Sequence, residues 1–175
     1  MPADTPDATI RRLEPHDQAA YRALRLESLR TNPALFGTTY AEAAAMPSLP
    51  FETFIRERAP DHAMFGAFVD GTLVGLCGFR RETRERARHS GELVEMYVAP
   101  HVAGRGIGAR LVDAVLRFAF EELGASQVVL GVAAENERAQ RAYRRAGFRE
   151  YGRLPNAFLT DGVFSAKVFM VRDRD

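Results

Sequence analysis

A glycine-rich segment, Gly104-Arg105-Gly106-Ile107-Gly108, constrains this chain more than any other feature. The apolar segment 93–98 before it ends at Pro100 and predicts a strand. The segment after it predicts a helix, since apolar residues recur at helical spacing up to Gly124: Ile107, Leu111, Ala114, Val115, Phe118 and Ala119. A glycine-rich loop at a helix start presents free N–H groups and the positive end of the helix dipole. Such a loop favours an anionic ligand, and a pyrophosphate fits it best.

The spacing of these glycines excludes two common nucleotide-binding loops. A dinucleotide-binding loop has the pattern G-x-G-x-x-G, and its third glycine, counted from Gly106, falls on Leu111. A P-loop needs lysine followed by serine or threonine, whereas the only lysine of this chain is Lys167. What remains is a strand, a G-x-G loop and a helix. This arrangement resembles the acyl-CoA loop of the GNAT acetyltransferase superfamily.

A second segment strengthens the resemblance. Residues 136–148 read N-E-R-A-Q-R-A-Y-R-R-A-G-F, which resembles the family's N-x-x-A-x-x-x-Y-x-x-x-G-F segment. A predicted strand over residues 127–132 separates the two segments, as the family order requires. The resemblance covers residues 73–151 and is closest to the bacterial members that act on small acceptors.

The order of predicted elements indicates one α+β (mixed α/β) domain over residues 8–175. Two strands form a hairpin across Asp70-Gly71, and a β-α-β-α order follows downstream. This order predicts a central mixed, mostly antiparallel, twisted sheet of about six or seven strands with helices on both faces, which is also what the resemblance implies. After a first predicted helix, Pro15 to Arg30, come a short connection and a short helix. Residues 1–7 are predicted to be a disordered tail.

Composition excludes several other functions. The 175 residues are 46% hydrophobic with a net charge of +1, which fits a globular enzyme and not a nucleic-acid binder. No segment approaches the ~20 apolar residues that span a membrane, so no membrane partner is expected. The single cysteine, Cys77, fits a reducing cytoplasm. The histidines lack the spacing of a metal site, so no metal is expected.

The resemblance implies an acetyl-CoA site at the glycine-rich loop and the strand before it. Backbone N–H groups of the loop would bind the pyrophosphate, with charge from Arg105; the family often has Gln or Arg where this chain has Ala103. Freed N–H groups of the strand would bind the pantetheine, with Val98 nearest the thioester oxygen, unless these amides are paired. The predicted acetyl-CoA-binding residues are Met96, Tyr97, Val98, Ala103, Gly104, Arg105, Gly106, Ile107, Gly108, Ala109, Asn136, Ala139 and Tyr143.

Tyr143 stands at the family's tyrosine position, which implies that it protonates the leaving thiolate. Ala139, Ala142 and Ala146 share its helix face, so small side chains leave room for a ligand beside its ring. A phenol with a pKa near ~10 can donate to a thiolate of pKa about 8.5. The alternative is a core aromatic. Asn136 is predicted to cap this helix, and the resemblance implies that it also bonds the pantetheine.

Two carboxylates, Glu92 and Glu95, are candidates for the general base, because an acid is unusual in an apolar strand. Simple alternation places Glu92 with Met96 and Val98 on one face and Glu95 with Leu93 and Tyr97 on the other, although a bulge would shift this register. Glu95 is favoured because it lies beside the part of the strand that splays in the family. The alternative for either residue is a surface carboxylate.

The acceptor is the least constrained part of the site. The resemblance implies a groove lined by the connection after the first helix and by the connection between the last two strands, with Phe36, Tyr40, Asn156 and Phe158 as candidate substrate-binding residues. The predicted function is direct transfer of acetyl from acetyl-CoA to the primary amine of a small molecule, since no nucleophile is supported. A protein or peptide acceptor and a non-catalytic acyl-CoA-binding module are the alternatives. Family members commonly form dimers, so a homodimer is a further expectation.

Overall fold

The computed structural model describes residues 7–175. Its strands are β1 (Thr9–Arg12), β2 (His62–Val69), β3 (Thr72–Arg81), β4 (Ser90–Val98), β5 (Gln127–Ala133), β6 (Arg149–Thr160) and β7 (Val163–Asp173). Its α-helices are α1 (Gln18–Thr31), α2 (Tyr40–Ala45), α3 (Pro50–Arg56), α4 (Ile107–Arg117) and α5 (Glu137–Arg145).

The seven strands form one sheet in the order β1-β2-β3-β4-β5-β7-β6. All neighbouring pairs are antiparallel except β4 and β5, which are parallel. A parallel pair needs a crossover, and α4 supplies it. The predicted fold class, a mixed and mostly antiparallel sheet with helices on both faces, is confirmed.

Two glycines of β3 show how the helices divide between the faces of the sheet. A Cβ on Gly75 would lie 3.0 Å from Leu111 of α4, whereas a Cβ on Gly78 would lie 3.0 Å from Phe51 of α3. Because Gly75 and Gly78 are three residues apart, they point to opposite faces of a regular strand. Helices α4 and α3 therefore lie on opposite faces of the sheet. Helix α1 packs with α3, and a cavity of about 470 Å³ between α4 and α5 shows that these two share the other face.

The parallel pair in the middle of the sheet is short. Strand β4 pairs with β5 only over Ser90–Glu92, opposite Gln127–Val129. Beyond Glu92, β4 stays paired with β3 on one side, and β5 stays paired with β7 on the other. The two strands therefore separate, and the sheet opens between residues 93–98 and residues 130–133.

Strand β6 differs from the sequence prediction. The sequence pattern predicts a strand over Phe148–Tyr151 and a connection over residues 153–158, but β6 extends to Thr160. Pro155 is accommodated because β6 is an edge strand and its register with β7 is interrupted between Leu154 and Phe158. The residues predicted to line the acceptor groove from a loop therefore lie on an edge strand.

Two other predictions concern the ends of elements. The long helix predicted up to residue 123 is α-helical only to Arg117 and continues as one π-helical turn over Phe118–Glu122. The predicted tail, residues 1–7, lies outside the described residues except for Asp7, whose carboxylate accepts a hydrogen bond from Arg110 at 2.8 Å. Within residues 7–175, no helix is both long and apolar enough to cross a membrane.

We expect Gly91→Ala to destabilise the protein by about 1–3 kcal/mol. A Cβ at this position of β4 would lie 2.1 Å from the ring of Phe79, which is fully buried and packs edge-on against Phe118. Urea unfolding measures the effect. The control is Gly152→Ala, whose nearest contact would be 4.0 Å away; equal stability of the two variants would contradict this packing.

Candidate active site

The glycine-rich loop forms a cradle of free backbone donors. Gly104 and Gly106 have φ of +84° and +73°, values that favour glycine, and a Cβ on either would point into open space. Within the described chain, none of the N–H groups of residues 104–109 donates to a backbone carbonyl; the first such bond runs from Arg110 to Gly106 at 3.2 Å. Because these N–H groups lie at the positive end of α4, the loop can hold an anion.

The cradle adjoins the opening in the sheet. A Cβ on Gly108 would lie 3.0 Å from the Met96 side chain and 3.8 Å from that of Val98. The side chains of Met96 and Val98 thus reach the start of α4 on the α4 face of the sheet. Arg105 and Ala109 are exposed beside the loop, and Ala103 is half-buried.

A β-bulge in β4 sets the direction of the side chains at the opening. Glu95 and Met96 together lie opposite the single residue Cys77 of β3, and Glu95 has φ of +55°. Simple alternation predicts Met96 on the same face as Glu92, and the bulge makes this prediction wrong. Met96 faces α4, on the face opposite Glu92, while Glu95 shares the α1 face with Tyr97, whose hydroxyl lies 3.3 Å from Glu27.

The Val98 N–H points into the opening. The next residue, Ala99, donates its N–H to Val74 of β3 at 2.8 Å. Successive residues of a strand direct their backbone groups to opposite sides, so Val98 directs its N–H away from β3, where β5 no longer pairs. This amide is therefore available to a ligand, which the sequence alone could not establish.

Glu95 lies in a nearly dry environment beneath α1. Its carboxylate accepts a hydrogen bond from the Tyr21 hydroxyl at 2.8 Å and lies 3.5 Å from Nε of Arg25. Burial raises the pKa of Glu95, and the charge of Arg25 and the Tyr21 hydrogen bond only partly oppose this. A carboxyl group with a raised pKa is a stronger base when ionised, as proton abstraction requires.

Glu92 occupies a different environment. It lies in the paired part of β4, and its carboxylate forms a 2.7 Å ion pair with Arg80 on the neighbouring strand. Its side chain is 35% exposed, compared with 14% for Glu95. The geometry therefore favours Glu95 over Glu92 as the base and agrees with the surface-carboxylate alternative for Glu92.

Tyr143 is buried on α5 and packs edge-on against Phe148 at 5.8 Å. Burial raises the pKa of its hydroxyl, so the phenol is protonated at neutral pH. Every fully buried side-chain oxygen or nitrogen in residues 7–175 has a hydrogen-bond partner. The Tyr143 hydroxyl has no hydrogen-bond partner within residues 7–175, so it is not one of these fully buried atoms. Its oxygen therefore reaches accessible space. Asn136 caps α5 as predicted, accepting a hydrogen bond from the Ala139 N–H at 3.2 Å.

Cys77 is fully buried on β3, opposite the bulge. Burial raises the pKa of its thiol, so the thiolate is disfavoured. The same burial leaves the sulfur without accessible surface at which a substrate could react. Cys77 is therefore a core residue.

The four candidate acceptor residues lie at different depths. Phe36 packs under the Arg25 guanidinium at 4.8 Å, and Phe158 lies so close to Gly37 that a Cβ there would be 3.3 Å from its ring. The hairpin β6–β7 thus meets the connection after α1. Asn156 is exposed in the unpaired part of β6, and Tyr40 is 43% exposed at the start of α2.

Sequence reasoning missed the two partners of Glu95. Tyr21 and Arg25 are buried on the inner face of α1, where the sequence predicts a helix but indicates no role for either residue. Tyr21, Leu24, Arg25 and Ser28 are spaced i, i+3, i+4 and i+7 and are all buried. The signal available in the sequence was the occurrence of polar residues at the helical spacing of core positions, which indicates buried polar contacts.

We expect Glu95→Gln to become more stable relative to the natural protein as the pH rises. At about pH 4, folded and unfolded chains both hold the Glu95 proton, so burial adds no charge penalty. As the pH rises from the unfolded pKa to the raised folded pKa, the unfolded chain releases this proton before the folded chain does, so the natural protein loses stability, whereas the neutral amide of the variant does not titrate. Thermal unfolding at about pH 4 and pH 8 measures this; a stability difference independent of pH would contradict it.

Comparison with known proteins identifies the relatives of this chain. A model of the acetyltransferase (GNAT) family matches residues 19–148. An uncharacterized N-acetyltransferase of Mycobacterium bovis is 33% identical over 138 residues, which cover 78% of this chain and 84% of that protein. A second relative, an uncharacterized protein of Mycobacterium leprae, is 33% identical over 65% of this chain, but the match spans only 31% of its length.

Solved structures show the same fold at lower identity. A GNAT-family acetyltransferase from Streptococcus pneumoniae superposes with a TM-score of 0.84 at 23% identity, covering 96% of this chain and 100% of that one. A putative acetyltransferase from Salmonella typhimurium, solved with its cofactor acetyl-CoA, has a TM-score of 0.81 at 19% identity, over 97% of this chain and 95% of that one. With the family match over most of the domain, the chain belongs to the GNAT family of acetyltransferases, enzymes that take their acetyl group from acetyl-CoA.

Proposed function

We propose that this N-acetyltransferase transfers acetyl directly from acetyl-CoA to the primary amine of a small molecule. The observation that carries the proposal is the opening between β4 and β5. The free N–H groups of the loop border this opening on the α4 face, Glu95 lies on the α1 face, and Tyr143 of α5 lies near Cys77, which is opposite the β4 bulge. Acetyl-CoA and the amine can therefore approach the same point from opposite faces.

The free donors fit the shape and charge of acetyl-CoA. The N–H groups of residues 104–109 would hold the pyrophosphate, and the open edge of β4 would pair with the amide groups of the pantetheine. The Val98 N–H would bind the thioester oxygen, and Asn136 would lie beside the pantetheine. Acetyl-CoA supplies the activated thioester carbonyl.

Glu95 and Tyr143 have pKa values suited to opposite tasks. Glu95 would accept the proton of the acceptor's ammonium group, directly or through water, which frees the amine to attack the carbonyl carbon. As the C–N bond forms and the C–S bond breaks, Tyr143 would donate its proton to the departing sulfur. The Val98 N–H would stabilise the charge on the carbonyl oxygen.

Direct transfer is supported by the state of the only thiol in the chain. Cys77 is fully buried, and burial holds its pKa above the usual range of a thiol. A covalent acetyl-enzyme would need an ionised and accessible thiol or another activated nucleophile. The amine itself is therefore the nucleophile in our proposal.

The acceptor class is proposed from the shape of the groove. Similar proteins include a spermidine N(1)-acetyltransferase of Vibrio cholerae, a mycothiol acetyltransferase of Propionibacterium freudenreichii and an N-alpha-acetyltransferase of Mycobacterium tuberculosis, so relatives differ widely in acceptor. In this chain Phe158 packs against Gly37, which brings the β6–β7 hairpin against the connection after α1. A groove closed in this way favours a small molecule over an extended peptide.

Thiol release from acetyl-CoA tests the proposal. The purified protein is assayed with amines, amino acids, aminoglycosides and peptides, with acetyl-CoA binding measured in parallel by calorimetry. Thiol release with a small amine supports the proposal. Release with peptides alone would establish the protein-acceptor alternative, and acetyl-CoA binding without release across the panel would favour the binding module.

We expect Tyr143→Phe to reduce kcat by about 10²–10⁴-fold while calorimetry shows little change in acetyl-CoA affinity. Phenylalanine keeps the packing against Phe148 but has no proton to donate. Glu95→Gln should reduce turnover similarly, and the matched control, Glu92→Gln, should retain it because Glu92 pairs with Arg80. Full activity in Tyr143→Phe would remove this residue from the proposed mechanism.

Two further expectations from the sequence stay predictions. One is that the protein works in the cytoplasm, and the other is that it forms a homodimer. Fractionation of cells and light scattering of the purified protein test them separately. Neither affects the proposed reaction.

A further inference from the structure

The only lysine of the chain occupies an unusual position on β7. The side chain of Lys167 lies flat across Gly131 of β5, where any Cβ would come within 2.1 Å of the lysine Cε. Glycine at this position of β5 therefore makes the space that the lysine occupies. The side chain is half-buried at the centre of the β5–β7–β6 part of the sheet, with Ala133 and Leu154 as its cross-strand neighbours.

The ammonium group of Lys167 faces aromatic rings and no carboxylate. Its Nζ lies 5.9 Å from the ring centroid of Phe158 and 5.5 Å from that of Phe169. Among residues 7–175, no carboxylate oxygen lies within 4.0 Å of it and no acceptor forms a hydrogen bond with it. Many arginines of the chain do pair with an acid, as Arg80, Arg88 and Arg149 do at 2.7 Å.

Lys167 belongs to the same groove as Glu95. Phe158, which flanks the ammonium group, also packs against Gly37. Phe36, which precedes Gly37 in the chain, lies under Arg25, and Arg25 lies 3.5 Å from the Glu95 carboxylate. These contacts form one continuous wall on the α1 face, with a carboxylate at one end and an unpaired ammonium at the other.

We propose that Lys167 binds an anionic group of the acceptor, and that the acceptor is a small amine that also carries a carboxylate. The inference rests on the proposed function and specifies its substrate class. An amine that is also an anion matches both ends of the wall, because Glu95 attracts its ammonium and Lys167 attracts its carboxylate. A polyamine would leave Lys167 unpaired and place like charges together.

Partial burial makes this charge effective in selecting an acceptor. A half-buried cation has lost part of its hydration, and a bound carboxylate would restore the lost interactions with a charge-assisted hydrogen bond. The flanking rings stabilise the ammonium group only weakly. An anionic group on the acceptor is therefore favoured at this position.

The single lysine also allows a direct binding test. With isotope-labelled lysine, Lys167 gives the only side-chain lysine signal in an NMR spectrum. The protein with CoA is titrated with L-methionine and L-phenylalanine, and separately with their α-carboxamides. A saturable shift of this signal with at least one acid, absent with its amide, is expected; no shift, or equal shifts with acid and amide, would overturn the proposal.

Kinetics of variants give an independent test. Lys167→Met should raise KM for the carboxylate-bearing acceptor by about tenfold or more and leave KM for acetyl-CoA unchanged. Lys167→Arg should restore part of the acceptor affinity. The control is Arg149→Met on the neighbouring strand, which removes a positive charge already paired with Asp173. An unchanged acceptor KM in Lys167→Met would overturn the proposal.

The two proposals fail in distinguishable ways. If the protein neither binds acetyl-CoA nor releases thiol, the proposed function fails, while the NMR titration still reports whether Lys167 binds carboxylates. If thiol is released equally well with amines that lack any anionic group, the proposed function holds and the assignment of Lys167 fails.

Discussion

The separation of β4 from β5 after Glu92 is the constraint on which the rest of the site depends. A fully paired parallel sheet would use every backbone N–H of these strands internally. Here the pairing stops after three residues, and the bulge at Glu95 turns the remainder of β4. The Val98 N–H is thereby released into the opening. The same departure from regular pairing places Met96 toward the glycine-rich loop and Glu95 toward α1.

This arrangement costs stability at the site. Glu95 holds a positive φ that non-glycine residues rarely adopt, and its carboxyl group is buried with a raised pKa. Lys167 adds a half-buried charge without a protein partner in the described chain. These features oppose folding, but in our proposal each of the two charged groups interacts with the acceptor. The large apolar core on both faces of the sheet provides the compensating free energy.

Local patterns in the sequence predicted the features that are local in the fold. The helix start at Gly106 and the cap at Asn136 follow from short-range chemistry, and both segments were placed correctly. The partners of Glu95 were missed because Tyr21 lies 74 positions away and only the tertiary fold brings it near. The faces of β4 could not be assigned without the bulge. Lys167 gave no local signal, since its significance comes from Gly131 and Phe158 on neighbouring strands.

Hydrogen exchange of backbone amides with and without acetyl-CoA tests the central claim most directly. In our proposal, acetyl-CoA lies against the open edge of β4 and the donors of the glycine-rich loop. We therefore expect new protection at Val98 and at residues 104–109, with little change in the paired segment 90–92. Binding of acetyl-CoA without protection at these positions would contradict the account, because the opening would then not be where the cofactor lies.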